Sequence, residues 1–284
     1  MEVRDIIHCV DELEQLFDQQ WMDSLDERKR KELQFFDVRR DPGRRDKLAS
    51  EDPAEYAKFY GNSKYYAGAA LCEDYVERWI ENHAPGKVFL DYACGNGRDA
   101  IRAARAGAAL SIGLDISRVS IENAKRSAAG TVNTGNIRFI QGDAENTKLP
   151  SSSIDIIVCR GMLHHLDLSY AFPELRRILV PGGKILAYEA LDYNPIIKLY
   201  RYLTPHMRSE WETSHILDLR DVKFARRFFE TGEMRFWHIT SILCPYMKSA
   251  LPLFNAVDRC LTRIPLIRLL AWIFTFELVK PGGR

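Results

Sequence analysis

Two adjacent histidines and two acidic residues form the group of side chains best suited to chemistry in this sequence. His164 and His165 lie in the segment Arg160-Gly-Met-Leu-His-His-Leu-Asp167, directly after an apolar run, and Glu189 ends the next apolar run. An unperturbed imidazole titrates at about pH 6.5, so a histidine can take a proton from a hydroxyl group near neutral pH. We predict that at least one of the pair, with His164 the first choice, is a general base that Glu189 orients, or that Glu189 binds the substrate directly. Asp167 is expected to cap the next helix.

A glycine turn and three acids form a second group. The run Val88-Phe-Leu-Asp-Tyr-Ala-Cys-Gly-Asn-Gly97 predicts a buried strand that enters a turn and then a helix over 98–105. Glycines let a backbone approach a ligand closely, and a helix N-terminus offers unpaired N–H groups. Asp115 ends a second apolar run about 20 residues after the turn, where a ribose-binding carboxylate is expected, and Asp143 ends a third.

Strands and helices alternate around these residues. Strands are predicted at 88–91, 109–115, 137–143, 154–159 and 181–189, with helices at 101–106, 119–128 and 168–179. This alternation predicts an α/β fold with a doubly wound parallel sheet, whose ligands lie beyond the carboxyl ends of the strands. The three acids fall at those ends.

From residue 87 to 190 the chain resembles the class I S-adenosylmethionine-dependent methyltransferases of the small-molecule type. In that family an acid at the end of the first strand is followed by three alternating glycines. Here the series reads Asp91, Ala93, Gly95, Gly97, so alanine replaces the first glycine. The resemblance implies a Rossmann-like seven-stranded sheet and S-adenosyl-L-methionine as cofactor.

The resemblance also implies which residues hold the cofactor. The methionine end is expected against the glycine turn and beside Arg160, the ribose hydroxyls on Asp115, and the adenine on Ile116. The adenine amino group is expected on Asp143, helped by the backbone of Ala144. The full expected set is Asp91, Ala93, Gly95, Asn96, Gly97, Asp115, Ile116, Asp143, Ala144 and Arg160.

A nicotinamide-dependent dehydrogenase is the nearest alternative, because it uses a similar turn and acid. Such enzymes usually have a third glycine where a pyrophosphate passes over the helix N-terminus. Here the turn continues Gly95-Asn-Gly-Arg-Asp99, without a small residue at that place. Asp91 just before the turn would also repel a diphosphate. A methyltransferase is therefore favoured.

Methyl transfer from a sulfonium requires alignment of an acceptor lone pair and removal of the acceptor's proton. With a histidine available, we predict O-methylation of a hydroxyl on a natural product, quinone or lipid-like small molecule. Two alternatives stay open: C-methylation of an activated ring with the same base, and a cofactor-binding protein that does not methylate and serves as a cyclase or scaffold.

Several other classes lack their required residues. Enzymes that methylate amino groups of nucleobases or of protein glutamine carry an Asn or Asp with prolines and an aromatic after the fourth strand, where this chain has Arg160-Gly-Met-Leu163. Cytosine C5 enzymes need a Pro-Cys pair, which does not occur. Some quinone-type O-methyltransferases bind a metal through a glutamate at the place of His164. Since the remaining carboxylates show no metal cluster, no metal is expected.

The composition of the chain limits the classes of partner that can be expected. The 284 residues carry a net charge of +1, so the chain does not have the excess of basic residues that is typical of a nucleic-acid-binding protein. We expect a small-molecule acceptor and no nucleic acid; the oligomeric state stays open. The six cysteines are scattered, and the start has no apolar signal stretch, so a cytoplasmic location is predicted.

Two helical segments are expected to flank the sheet. Residues 1–66 are predicted to form a helical cap or lid on a methyltransferase domain at 67–284. Its first helix has an apolar face of Ile6, Ile7, Val10, Leu13, Leu16 and Phe17, and Tyr65 and Tyr66 are expected in the pocket or the core. Residues 191–232 are predicted to be a helical insert that covers the substrate. Its arginines, at 201, 208, 226 and 227, lie among aromatics and favour an amphipathic or partly anionic substrate.

The C-terminal part carries the last two predicted strands, at 234–243 and 272–279. Between them, 251–274 is strongly apolar, but Arg259, Arg263 and Arg268 interrupt it and Pro265 breaks it, so a membrane span is not predicted. The first prediction is a buried helix that leads into the strand. The second is a surface that rests on a membrane or covers a lipid-like substrate.

Overall fold

The computed structural model of the protein describes residues 1–16, 19–130 and 134–282. A seven-stranded sheet lies at its centre, in the order β3-β2-β1-β4-β5-β7-β6. The strands are β1 (Val88–Tyr92), β2 (Leu110–Asp115), β3 (Ile137–Gln141), β4 (Ile154–Arg160), β5 (Leu179–Ala190), β6 (Glu230–Trp237) and β7 (Ile273–Val279).

Strands β1 to β5 pair in parallel, whereas β7 runs antiparallel to both β5 and β6. All residues of β1 and β2 are buried, as expected for parallel strands covered on both faces. The carboxyl ends of β1, β2, β4 and β5 therefore meet at one edge. The predicted doubly wound, seven-stranded α/β fold is confirmed.

Helices flank this sheet and precede it. In the described part of the chain they are α1 (Val3–Leu16), α2 (Gln19–Ser24), α3 (Glu27–Arg40), α4 (Pro42–Glu51), α5 (Pro53–Tyr60), α6 (Ser63–Tyr66), α7 (Ala70–His83), α8 (Arg98–Arg105), α9 (Arg118–Ala128), α10 (Leu168–Ile178), α11 (Pro195–Leu203), α12 (Leu219–Ala225) and α13 (Leu251–Leu261). Asp167 caps α10 as predicted, since its carboxylate accepts from the Ser169 backbone N–H at 2.8 Å.

Two of the helices before β1, α1 and α3, pack against different parts of the sheet. Helix α1 buries Ile6, Val10 and Leu13 in the main core beside β3, whereas Leu16, predicted on the same face, is exposed. Phe17 lies outside the described residues. Helix α3 instead lies across the carboxyl ends of β2 and β3, where its side chains contact Ser117 and Asp143.

The insert and the sixth strand differ from the prediction at their ends. Strand β6 begins at Glu230, so the insert after β5 ends at 229 rather than 232. The strand also ends at Trp237 rather than at 243. His238 has a positive φ of 64°, and the Asp258 carboxylate accepts from the backbone N–H groups of Thr240 and Ser241, which turns the chain out of the sheet.

The apolar segment after β6 is not a buried helix, and that first prediction was wrong. Helix α13 is mostly exposed, and Asp258 is its buried residue. Leu253 and Leu266 are 64% and 81% exposed. None of the helices in the described part of the chain combines the length and the apolar character needed to cross a bilayer.

Candidate active site

The turn between β1 and α8 uses left-handed backbone three times. Ala93, Gly95 and Gly97 have φ values of 59°, 52° and 78°. A Cβ at Gly97 would lie 2.6 Å from the Phe139 ring, so glycine is required there by space as well as by φ. Ala93, where the resembling family has glycine, adopts a conformation that costs an L-residue about 1–2 kcal/mol.

Asp91 lies behind this turn. Its carboxylate is buried and accepts a hydrogen bond from the Ala100 backbone N–H at 3.0 Å, so it holds the start of α8. Burial, together with the charge of Asp99, raises the pKa of Asp91 well above its ordinary value. Its contact with the methionine end of a cofactor stays a prediction.

Six of the expected cofactor residues line one small cavity of about 90 Å³ at the ends of β1 to β4. They are Ala93, Asp115, Ile116, Asp143, Ala144 and Arg160. The Asp115 carboxylate accepts from the backbone N–H groups of Gly95, at 2.8 Å, and Ser117, at 2.9 Å. Burial raises its pKa despite these two bonds. Asn96 lines a second, larger cavity instead.

Helix α3 covers the small cavity with charged side chains. The Lys29 ammonium lies 2.7 Å from Asp143 Oδ2, where the adenine amino group is expected, and Arg28 pairs with Glu145 at 2.6 Å. The Arg40 guanidinium lies against Gly95. Helix α3 therefore covers the predicted cofactor residues, and we call α3 the lid below.

Arg160 ends β4 and forms ion pairs with residues of α7 and α8. Its guanidinium donates to both oxygens of Asp99, at 2.6 and 2.9 Å, and to Glu73 at 2.8 Å. This geometry fixes the start of the loop that carries the histidines.

His164 is buried in the short 3₁₀ turn Leu163–His165, and its Nδ1 lies 2.6 Å from Glu189 Oε2. The other carboxylate oxygen of Glu189, which is fully buried, accepts from the backbone N–H groups of Met162, at 2.9 Å, and Leu163, at 2.7 Å. Burial alone would lower the pKa of His164, but the charges of Glu189 and Glu212 outweigh it and raise that pKa above 6.5. The predicted contact between Glu189 and a histidine is present.

His165 has an equivalent carboxylate partner from the lid. Its Nδ1 lies 3.0 Å from Glu32 Oε2 on α3, and its ring packs edge-on against Phe36. The rings of the two histidines are tilted against each other with centroids 4.3 Å apart. Both imidazoles are thus oriented through Nδ1, and each Nε2 faces the insert.

Both Nε2 atoms face Glu212 in the insert, at 3.9 Å from His164 and 4.0 Å from His165. These three residues each offer one ligand atom, and the three atoms lie within 4.8 Å of one another, so the cluster could hold a metal ion. Glu212 also lies 3.6 Å from the Arg208 guanidinium. The sequence-based expectation of no metal stays a prediction.

The histidines face a cavity of about 1180 Å³ between the lid, α6 and the insert. Its wall combines aromatic side chains with arginines, and Tyr65 and Tyr66 both contribute to it, as predicted. Gly161 and His165 also line the small cavity, so the two spaces adjoin at the loop after β4.

Cationic side chains enter this larger cavity. Arg201 and Arg208 line it, whereas Arg226 and Arg227 are exposed and absent from its lining, so their predicted role was wrong. Arg201 pairs with Asp192 at 3.1 Å through Nη1, but its buried Nη2 has no hydrogen-bond partner among the described residues. The buried Tyr188 hydroxyl, also in the wall, has none either.

Residues 89–183 match the family model described as a methyltransferase domain. The chain carries a class I S-adenosylmethionine-dependent methyltransferase domain. The predicted family and its cofactor, S-adenosyl-L-methionine, are thereby confirmed at the level of the domain.

Relatives of the methyltransferase domain act on different atoms. The chain is 33% identical over 101 residues to the 27-O-demethylrifamycin SV methyltransferase of Amycolatopsis mediterranei, covering 35% of this chain and 37% of that protein. It is 26% identical over 210 residues to a sterol 24-C-methyltransferase of Aspergillus fumigatus, covering 66% and 55%. The chain therefore spans about a third to a half of the length of these curated relatives.

A solved structure shares the fold across most of the chain. It is a geranyl diphosphate C-methyltransferase from Streptomyces coelicolor, solved with Mg²⁺, geranyl diphosphate and S-adenosyl-L-homocysteine. The TM-score is 0.60 at 15% identity, with 91% of this chain and 99% of that chain covered. This likeness concerns the fold.

Four charged residues contact the candidate site but were not predicted from the sequence. Lys29 and Glu32 come from α3, Glu212 from the insert, and Glu145 follows Asp143. The charge density of residues 27–40 is the one signal that could have directed attention to the lid.

Proposed function

We propose that the protein transfers a methyl group from S-adenosyl-L-methionine to a hydroxyl group of an amphipathic small molecule, of the natural-product, quinone or lipid-like class. The observation that carries this proposal is the buried His164–Glu189 pair, which opens on a large, partly aromatic cavity beside the predicted cofactor residues. Unpaired cysteines throughout the chain are consistent with a cytoplasmic location.

The residues of the small cavity fit the cofactor by their donor and acceptor types. Asp115 ends β2, Asp143 lies two residues past the end of β3, and the apolar Ile116 lines the same cavity, which suits a ribose diol, an adenine amino group and an adenine ring. When bound, S-adenosyl-L-methionine supplies an activated methyl group. Lys29 on α3 must leave Asp143 to make that carboxylate available.

The His164 imidazole is prepared to take the acceptor's proton. Because the Glu189 carboxylate accepts a hydrogen bond, Nδ1 carries the hydrogen and Nε2 keeps its lone pair. That lone pair lies on the side of Glu212 and the cavity. General-base help of this kind is typically worth about 10²–10⁴-fold in rate. Asp91, Arg160 and Glu189 act by positioning the turn, the loop and the imidazole.

The larger cavity indicates the character of the acceptor. Aromatic side chains offer apolar contact area, while Arg201 Nη2 and the Tyr188 hydroxyl are buried donors that have no partner among the described residues. Burial lowers the pKa of Arg201, which shows that the nearby charges do not fully compensate its loss of solvent. An acceptor that carries an anionic or carbonyl oxygen on an apolar body would satisfy these groups.

Carbon is the second candidate for the methylated atom, because the sterol 24-C-methyltransferase is a relative over 66% of this chain. The same imidazole would then remove a proton from the methylated ring. A protein that binds the cofactor without transfer is the third possibility retained from the sequence.

The test is turnover of trideuteromethyl-labelled cofactor with a panel of hydroxylated quinones, phenolic polyketides and long-chain alcohols, read by mass spectrometry. We expect an O-linked label and a loss of about 10²–10⁴-fold in kcat for His164→Asn. His8→Asn, an exposed histidine on α1, is the matched control and should keep full activity. A label on carbon would support the second candidate, and cofactor binding without any product the third.

A further inference from the structure

An exposed apolar surface lies on the insert and the segment after β6. Helix α11 exposes Ile196 and Tyr202, at 78% and 81%. We call the whole patch the apolar rim, and its exposed members are Ile196, Leu199, Tyr202, Leu203, Leu243, Tyr246, Met247, Leu253, Val257, Ile264, Leu266 and Leu270. Soluble proteins rarely expose so many large apolar side chains in two neighbouring segments, so the rim indicates an interaction surface.

The two halves of the rim are joined at the mouth of the larger cavity. The Asn194 side chain at the start of α11 donates to the Leu270 carbonyl at 2.7 Å. Ile196, Leu243 and Tyr246 belong to the rim and also line the cavity. The Tyr246 hydroxyl lies 3.1 Å from that of Tyr65 in the cavity wall. The cavity therefore opens onto the rim.

The charges of the rim have one sign. Across 194–209 and 241–271 the sequence holds a single acid, Asp258, which is buried. Lys248, Arg259 and Arg263 are exposed in the same segments, and none of the described carboxylates lies within ion-pair distance of them. The rim thus combines apolar side chains with unpaired cations.

We propose that the apolar rim rests on an anionic lipid bilayer, with the mouth of the larger cavity facing the membrane. Exposed leucines and aromatics insert at the headgroup boundary, and the basic residues contact lipid phosphates. Docking follows from the rim itself. Entry of a lipid-like acceptor from the bilayer rests on the proposed function.

A second copy of the chain fits this surface less well. The common symmetric dimer brings the same patch together from both subunits, which here would place Arg259, Arg263 and Lys248 against one another without acids to pair them. An anionic membrane provides the complementary charge that a second copy lacks.

The test is co-sedimentation of the full chain with two kinds of vesicle. One is phosphatidylcholine alone, and in the other about one lipid in three is the anionic phosphatidylglycerol. We expect binding to the anionic vesicles, weakened at high salt because exposed charges are screened. Each basic residue near such a surface contributes about fivefold, so Arg259→Glu with Arg263→Glu should weaken partitioning at least about 25-fold.

Matched controls separate a specific surface from general basicity. Arg226→Glu with Arg227→Glu makes the same charge change at exposed positions outside the rim and should leave binding within about twofold. Leu253→Ser with Leu266→Ser removes exposed apolar contacts and should weaken binding about tenfold or more.

Three results would overturn the proposal: no binding of the unmodified chain to anionic vesicles, equal losses in both charge variants, or a concentration-dependent dimer in light scattering that Leu266→Ser dissociates. S-adenosylhomocysteine binding is measured on the same samples to confirm that each is folded. Turnover of water-soluble acceptors is measured too. If the proposed function is wrong, the unmodified chain will bind anionic vesicles but will not methylate the acceptors. If the docking proposal is wrong, it will methylate water-soluble acceptors but will not bind the vesicles.

Discussion

Replacement of Glu189 by glutamine tests how the imidazole is activated. The carboxylate is fully buried and accepts from His164 Nδ1 and from the backbone N–H groups of Met162 and Leu163. Glutamine keeps the shape, and its amide oxygen can still accept from both backbone groups. Its NH₂ group, however, is a donor that faces Nδ1, so the imidazole must carry its hydrogen on Nε2 and present no lone pair to the cavity.

The expected magnitude follows from the loss of the base. General-base help is worth about 10²–10⁴-fold, so kcat should fall by that factor, equivalent to about 3–5 kcal/mol of barrier. The pH profile should move as well. Since the neutral imidazole is the active form and the pKa of His164 is raised, activity of the unmodified chain should rise through a pH above 6.5. Without the Glu189 charge the pKa of His164 falls, so any residual activity should rise at lower pH.

The assay combines turnover of labelled cofactor from pH 5 to 9 with calorimetric binding of S-adenosylhomocysteine and a thermal melt. Binding should change less than about threefold, because Glu189 does not itself line the small cavity and glutamine keeps its bonds to the backbone of Met162 and Leu163. Glu230→Gln, an exposed change at the start of β6, is the control. The reasoning would be refuted by a Glu189→Gln chain that binds normally and keeps kcat within about threefold, since alignment alone would then account for the rate.

Four further predictions follow from other parts of the site. Lys29→Met should tighten S-adenosylhomocysteine about tenfold in calorimetry, because the half-buried ion pair with Asp143 no longer has to be broken; weaker binding would instead make Lys29 a cofactor ligand. Ala93→Gly should stabilise the fold by about 0.5–1 kcal/mol in denaturant unfolding, the relieved left-handed strain less the added unfolded-state entropy; destabilisation would contradict the strained turn. Asp115→Ala should weaken cofactor binding at least about 100-fold, since hydrogen bonds to a charged group contribute about 1.5–3 kcal/mol each; unchanged binding would mean that the ribose lies elsewhere. Dialysis against a chelator should leave turnover unchanged, whereas loss that zinc or magnesium restores would assign a metal to His164, His165 and Glu212.

The sheet and the cofactor acids could be predicted because their signals are local. Buried parallel strands are apolar runs in the sequence, and an acid near the carboxyl end of such a run lies at the ligand edge of the sheet. The contact of Glu189 with His164 followed from the same rule, since β4 and β5 are neighbours.

The residues that complete the site come from segments without such a signal. Glu32 and Glu212 lie on opposite sides of the histidines in segments that are charged throughout, and the tertiary fold alone selects which charges face inward. The exposure of helix α13 could not be predicted either, because an apolar run has the same sequence pattern whether it enters the core or lies on the surface. Its exposure could be seen only once the core had been filled by other elements.

The most direct test of the account is calorimetric titration of the full chain with S-adenosyl-L-methionine and with S-adenosylhomocysteine. The small cavity, with Asp115 and Asp143 at neighbouring strand ends, predicts that both bind with about micromolar dissociation constants. Absence of binding by either compound, in a chain shown to be folded by its melting transition, would contradict the central claim that this site holds the methyl donor.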